Sequence, residues 1–181
     1  MDSQEHNIST PISFAMKDGA YLGFLFSVNF VVSTSSNGFL QVLSYIITAT
    51  IAVATWRLAT NYRKSRPNGI ITFYQAFSYI TILYFFAALI SALVKIIYLK
   101  YIDSDFLSRL IVTTRQVISA THLSLPEDYE DNINSILNPS NFAIQITMFN
   151  VFLGVMMGLI YAPFIRRNKN INTNINEQSN H

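Results

Sequence analysis

The stretch PNGIITFYQAFSYITILYFFAALISALV, residues 67–94, contains no Asp, Glu, Lys or Arg and is rich in apolar and aromatic residues. Residues 19–56 and 132–165 share both properties. A transmembrane helix needs roughly 20 mostly apolar residues to cross a bilayer, and a charge at its centre costs about 3 kcal/mol on insertion scales. These stretches therefore predict helices that lie in lipid.

The composition excludes several classes of protein. Of the 181 residues, 51% are hydrophobic and only 12% are charged, whereas an ordinary soluble domain has about 25% charged residues. The net charge of +2 is small, and basic residues do not alternate with aromatic ones as in a platform for single-stranded nucleic acid. We therefore expect the lipid bilayer as the main partner and no nucleic acid. Because the sequence has no cysteine, disulfides and thiolate metal sites are excluded.

Turn-forming residues divide the apolar stretches into four predicted spans. The first stretch is interrupted by STSSNG, residues 33–38, a cluster of turn formers. The predicted fold class is all-α: a polytopic membrane protein whose four transmembrane helices form a bundle in one domain, residues 1–181. The expected helices cover residues 17–35, 39–60, 70–100 and 141–165.

The first of these helices has an alternative interpretation. Its most apolar run, residues 20–32, is short enough to suit the hydrophobic region of a signal peptide. The leader before that run contains Asp2 and Glu5, and the residues after it match a cleavage site only loosely. These features favour a helix that is retained.

A segment of about residues 104–138 separates the third and fourth spans and has helical order of its own. Apolar residues recur at helical spacing from 104 to about 121. The pattern Ser124-Leu125-Pro126-Glu127 predicts the capping box of a second short helix, which Asn138 and Pro139 would end. The polar tail, residues 168–181, is predicted to be disordered.

Cations indicate the orientation of the chain. They are concentrated between helices two and three and after helix four, which the positive-inside rule assigns to the cytoplasm. With four spans, both termini are then cytoplasmic and the segment 104–138 is a helical extracytoplasmic segment. The same cluster would attract anionic lipid. The cations that set this topology are Arg57, Arg63, Lys64, Arg66, Arg166 and Arg167.

Small residues predict where helices meet. Gly19 and Gly23 in helix one, and Gly154 and Gly158 in helix four, have the four-residue spacing that lets helix backbones approach closely in a membrane. We expect helix one to pack on helix four at these glycines. Helix three has a comparable face of small residues, including Ala87 and Ser91, whose partner could be another helix or another copy of the protein.

Polar residues within the spans are candidates for a site. Asn29, Gln41 and Asn150 are intramembrane amides, which more often bridge helices than line a pathway. Lys95 lies near the end of helix three, where a long side chain can snorkel to the head groups. The sequence has no catalytic motif, phosphate-binding loop or ligand-spaced cluster of histidines. We therefore expect no enzyme, no cofactor and no metal site.

These observations leave two functional hypotheses. The first is a structural or accessory component of the membrane, which contacts other membrane proteins or copies of itself through small-residue faces. The alternative is a small oligomeric transporter or channel, lined by Asn29, Gln41 and Asn150.

Three blocks of sequence resemble a known family. They are NYRK at residues 61–64, GIITFYQAF at 69–77 and YLKYIDSDF at 98–106. The blocks are similar to small bacterial membrane proteins of the domain-of-unknown-function family DUF4199, which are common in Bacteroidota. The resemblance implies four spans and a bacterial inner membrane. It implies no activity, cofactor or catalytic residue.

Overall fold

A computed structural model describes residues 11–35, 37–121 and 129–166. In these residues the chain is helical and has no β-strand, which confirms the predicted all-α class. The predicted capping box at Ser124, the polar tail and Arg167 lie outside the described residues. The helices are α1 (Pro11–Ser33), α2 (Gly38–Lys64), α3 (Phe73–Ile97), α4 (Asp105–Thr121), α5 (Tyr129–Ile136) and α6 (Pro139–Ile165).

Side-chain caps fix the starts of the long helices. The Asn37 side chain accepts a hydrogen bond from the backbone N–H of Phe39 at 2.9 Å, which caps α2. At the start of α3, Thr72 and Gln75 form a capping box: each side chain accepts from the other residue's backbone N–H, at 3.2 and 3.0 Å. This box explains why α3 begins at Phe73, three residues after the predicted start at residue 70.

The chain reverses between α2 and α3 in a short 3-10 turn, Pro67–Gly69. Asn68 and Gly69 both have positive φ, 59° and 62°, a conformation that Asn and Gly tolerate best. At the other reversal, Asn138 and Pro139 both end α5 and begin α6. The Asn138 side chain accepts from the Ser140 N–H at 3.1 Å, and α6 starts two residues before the predicted residue 141.

Helix α3 is the central helix of the bundle. It packs along most of its length against α1 and also against α6, whereas α2 packs mainly against α1. A five-residue π-helical turn, Tyr98–Ile102, extends α3. The fully or almost fully buried apolar residues of α3 include Ala76, Tyr79, Ile80, Leu83, Tyr84, Ala87 and Ala88.

Within the described residues, three segments are long and apolar enough to cross a membrane: α2, α3 with its π-helical turn, and α6. Their outward surfaces carry large exposed apolar side chains, such as Tyr45 on α2 and Phe164 on α6. Helix α1 is not among the three, because Lys17, Asp18 and Asn29 lower its mean hydropathy. By their length and composition these helices indicate a membrane protein, and the fourth span stays a prediction.

The two ends of the bundle differ in chemistry. At the end we call the basic end, the Arg63 guanidinium donates to the carbonyl of Ile165 at 3.3 Å and so joins α2 to α6. At the opposite end, the far end, Phe30, Leu99 and Leu107 form an apolar cluster that joins α1, the π-helical turn and α4. The cationic ends of α2 and α6 therefore lie together, as the predicted topology requires.

Candidate functional site

The glycine pair of α1 lies against α3 rather than against α6. A Cβ atom added to Gly23 would lie 2.9 Å from the carbonyl oxygen of Ala87, and one added to Gly19 would lie 2.7 Å from the Cβ atom of Phe86. These distances leave no room for a side chain. The glycines therefore let α1 approach the backbone of α3.

The glycine pair of α6 also lies against α3. A Cβ atom on Gly154 would overlap the Cβ atom of Tyr84, and one on Gly158 would lie 3.0 Å from the ring of Phe77. The predicted contact between helices one and four is therefore wrong, because α3 packs against both. Glycine spacing marks a close approach but carries no information about which helix approaches.

The small-residue face of α3 is buried by contacts within the same chain. Ala87, Ala88 and Ser91 are all 0% exposed, and Ala87 touches the glycines of α1. This face is thus an internal contact, and a second copy of the protein is not needed to cover it.

A cavity of about 520 Å³ lies between α1, α2, α3 and α6 in the half of the bundle towards the far end. The residues that line it come from these four helices and from α4. They are Phe26, Asn29, Phe30, Ser33, Thr34, Thr48, Ile51, Ala52, Tyr84, Lys95, Phe106, Phe142, Ile146, Asn150, Leu153 and Met157.

Two of the three predicted intramembrane amides line this cavity. The Asn29 amide donates to the Thr48 hydroxyl at 3.1 Å, which links α1 to α2, and Asn150 lies on the α6 wall. Gln41 does not belong to the site, because its exposed side chain points to the Ser35 carbonyl at 3.5 Å in the turn before α2. The predicted set of three amides is therefore brought together only in part.

Lys95 is a charged residue of the cavity wall, and its position contradicts the expectation of snorkelling. The side chain is only 1% exposed. Its Nζ atom lies 5.7 Å from the centre of the Phe30 ring and has no hydrogen-bond partner among the described residues. Helix α3 continues past Lys95 through the π-helical turn to Ile102, and Lys95 lies inside the bundle rather than at its edge.

The sequence does contain a signal for the burial of Lys95. Lys95 follows Ala88 by seven residues and Ser91 by four, a spacing that places all three on one face of a helix. That face is the buried one. Assigning the small residues to the buried face of α3 would place Lys95 with them.

Polar and aromatic contacts attach α2 on the basic side of the cavity. The Thr55 hydroxyl and the Tyr84 hydroxyl are 3.1 Å apart, which joins α2 to α3. The Tyr161 hydroxyl donates to the carbonyl of Ala52 at 3.3 Å, and the Tyr161 ring meets the edge of Trp56 at 5.5 Å. These contacts bound the cavity on the side of the basic end.

At the basic end, the predicted lipid-binding cations differ in their contacts. Arg57, Lys64 and Arg166 are exposed, as a lipid-facing role requires. Arg63 instead bonds the end of α6, and Arg66 donates to the hydroxyl of Tyr62. Arg63 therefore also joins two helices of the bundle, whereas the contact of Arg66 is local to the end of α2.

Sequence reasoning missed a polar cluster near this end. The Tyr79 hydroxyl donates to the carboxylate of Asp18 at 2.5 Å. The Tyr79 ring stacks on the Tyr62 ring, with 4.1 Å between centroids and 3° between planes. Asp18 lies just before the first charge-free stretch and Tyr79 lies in another, so no local pattern connects them.

Comparison with known proteins assigns the chain to a family. The model of the family described as Protein of unknown function (DUF4199) matches residues 17–167. The chain belongs to the DUF4199 family. The resemblance of the three sequence blocks is thereby confirmed and extends over most of this DUF4199 chain, including both glycine pairs and every residue that lines the cavity.

No curated protein and no solved structure matches this DUF4199 chain. In the residues that the structure describes, no group of three or more His, Asp or Glu side chains is placed to hold a metal ion. The cavity and the residues on its wall are therefore the features that indicate the chemistry of the site.

Proposed function

We propose that this chain binds a small solute in the cavity between α1, α2, α3 and α6, as a membrane-embedded binding protein or transporter. The proposal rests on the cavity, because its volume of about 520 Å³ falls within the usual range for small-molecule sites. Its wall is mostly apolar with a few polar groups, among them Asn29, Lys95 and Asn150, which is the usual composition of a ligand site. Helices of the same chain contribute to its wall, so the proposal can be tested on a single copy of the protein.

The residues that line the cavity favour binding over catalysis. None of the described residues on the wall is a histidine or an acid, so these residues offer no acid and base pair for proton transfer. We therefore propose a non-enzymatic role that uses neither a cofactor nor a metal.

The proposed location is a bacterial inner membrane, with four spans and both termini in the cytoplasm. Helix α1 has 23 residues and packs along α3, a helix apolar enough to cross the membrane; these contacts support α1 as the fourth span. The cations of the basic end support a cytoplasmic position for that end. The far end, and with it the cavity, then faces the periplasm.

Thiol labelling tests both the cavity and its orientation, because the chain has no cysteine of its own. We expect Asn150→Cys, on the cavity wall, to react with a water-soluble, membrane-impermeant methanethiosulfonate added to intact cells. The reagent attacks thiolates, which form in water rather than in lipid.

The matched control is Phe152→Cys on the same helix, at a position 56% exposed on the outer surface and therefore facing lipid. We expect this variant to remain unlabelled until detergent is added. Equal protection of both thiols in cells and in inside-out vesicles would show that water does not reach the cavity and would end the proposal of a solute site.

A structural or accessory role is the second candidate, and a different feature favours it. An apolar groove of about 350 Å³ lies between α1 and α3 on the outside of the bundle, with Phe24, Val28, Ile90 and Val94 among its residues. Such a groove can accept a ridge of side chains from a helix of another membrane protein.

Filling the groove tests the accessory role. If a partner helix lies there, Val28→Trp should remove one stoichiometric protein that co-purifies with the tagged chain. Phe152→Trp, on the outer surface of α6, should leave that protein bound. Purification of the chain alone, or loss of the same protein in both variants, would argue against this role.

A further inference from the structure

We infer that the cavity binds an anionic amphiphile, a molecule with one negatively charged head group and one acyl chain. The head group would lie against the Lys95 amine and the chain against the apolar wall. This inference rests on the proposed binding function and names the chemical class of its ligand.

The Lys95 amine is buried without a hydrogen-bond partner among the described residues. A buried ammonium group without a partner is strongly unfavourable, and ionisable residues within membrane segments are retained where they pair with another group or with a ligand. Lys95 is 1% exposed and has no hydrogen-bond acceptor among the described residues. Its contact with the Phe30 ring, at 5.7 Å, supplies only a weak attraction.

The positive charge of Lys95 has no counter-charge among the described residues of the cavity wall. Among the residues that the structure describes, no acidic residue lines the cavity. Of the described acids near the two ends, Asp103 pairs with Arg109 at 2.8 Å and Asp18 accepts from Tyr79. Asp105 is exposed on α4 and is not among the residues that line the cavity. An anionic ligand is therefore the group that would complete the site, since it brings the negative charge into the cavity.

The rest of the cavity is elongated and mostly apolar. On α3 the wall extends from Lys95 to Tyr84, eleven residues away, which is about 16 Å along a helix. Below Lys95 the wall includes Phe26, Ile51 and Met157, an apolar set in which methionine adapts readily to the shape of a ligand. This elongated apolar space beside the Lys95 amine matches an acyl chain attached to an anionic head.

Binding is best measured with the full-length protein in nanodiscs of zwitterionic lipid, with tritiated palmitate as the probe. We expect saturable binding of about one palmitate per chain. Because a hydrogen-bonded charge contact contributes on the order of one to two powers of ten in affinity, Lys95→Met should weaken binding about tenfold or more. Lys95→Arg, which keeps the charge, should retain most of the affinity.

The matched control is Lys100→Met, five residues further along the chain on an exposed side chain, and it should bind palmitate as the wild type does. Methyl palmitate, which has no charge, should compete poorly. Lysophosphatidylglycerol distinguishes the source of the anion: competition equal to palmitate indicates that any anionic head is accepted, and weaker competition indicates selection of the carboxylate.

Three results would overturn the inference: no saturable binding of either amphiphile, equal affinity in the wild type and Lys95→Met, or full competition by inorganic phosphate alone. Each is distinguishable from failure of the proposed function. If Asn150→Cys is labelled from water and no anionic amphiphile binds, the cavity is a solute site of another kind.

Discussion

Replacing Gly154 with leucine is expected to destabilise the folded bundle by about 3 kcal/mol, at the upper end of what overpacking a well-packed interior usually costs. Even the first carbon of the new side chain would overlap the Cβ atom of Tyr84. Tyr84 cannot move aside freely, because its hydroxyl is 3.1 Å from that of Thr55 on α2. The leucine therefore either separates α6 from α3 or breaks the contact between α3 and α2. Unfolding in mixed micelles with increasing SDS measures the loss.

Gly38→Leu is the matched control for this experiment. It makes the same chemical change at a glycine where an added Cβ atom would have no neighbouring atom within 4 Å, and we expect a change in stability within about 0.5 kcal/mol. A double variant, Gly154→Leu with Tyr84→Ala, should recover part of the loss, because residues in contact show non-additive effects. Equal stability of Gly154→Leu and Gly38→Leu would contradict the packing of α6 on α3.

The helices are predictable from the sequence because the relevant signals are local. Absence of charge over a long stretch, a cluster of turn formers and side-chain caps act within a few residues. The reversal before α3 shows this well: Pro67, Asn68 and Gly69 are turn-forming residues, and Asn68 and Gly69 have the positive φ angles that such a turn requires.

The arrangement of the helices is not accessible in the same way. In lipid, apolar burial does not decide which helices pair. Close contact between small residues decides it instead. Each glycine pair is compatible with any neighbouring helix, and only the three-dimensional structure shows that both pairs contact α3. The sequence locates the contact surfaces and does not determine the pairs.

The candidate site is predictable in part for a related reason. Asn29 and Asn150 stand out as polar residues in apolar helices, but their convergence on one cavity depends on the packing of both α1 and α6 against α3. The expectation that Lys95 reaches the membrane surface is wrong because Lys95 lies on the buried face of α3, with Ala88 and Ser91. Helix length is not the reason, since the predicted end at residue 100 is within two residues of the observed end at Ile102.

The second large effect is expected at Tyr79. This residue is 0% exposed, its ring stacks on Tyr62 at 4.1 Å, and its hydroxyl donates to the Asp18 carboxylate. Tyr79→Ala removes the ring and leaves a cavity, a change that costs about 3–5 kcal/mol for buried aromatic residues. It also leaves Asp18 without this donor. Unfolding in SDS should therefore show Tyr79→Ala as one of the least stable variants of the bundle.

Two further variants separate the ring from the hydroxyl. Tyr79→Phe keeps the ring and removes the hydrogen bond to a charged group, so the expected loss is about 2 kcal/mol. If this loss arises from the bond to Asp18, it should be much smaller when Tyr79→Phe is made in an Asp18→Asn background. Tyr74→Ala on the same helix, where the tyrosine is 74% exposed, should change stability little. Additive losses for Tyr79→Phe and Asp18→Asn would show that the hydroxyl and the carboxylate do not stabilise each other.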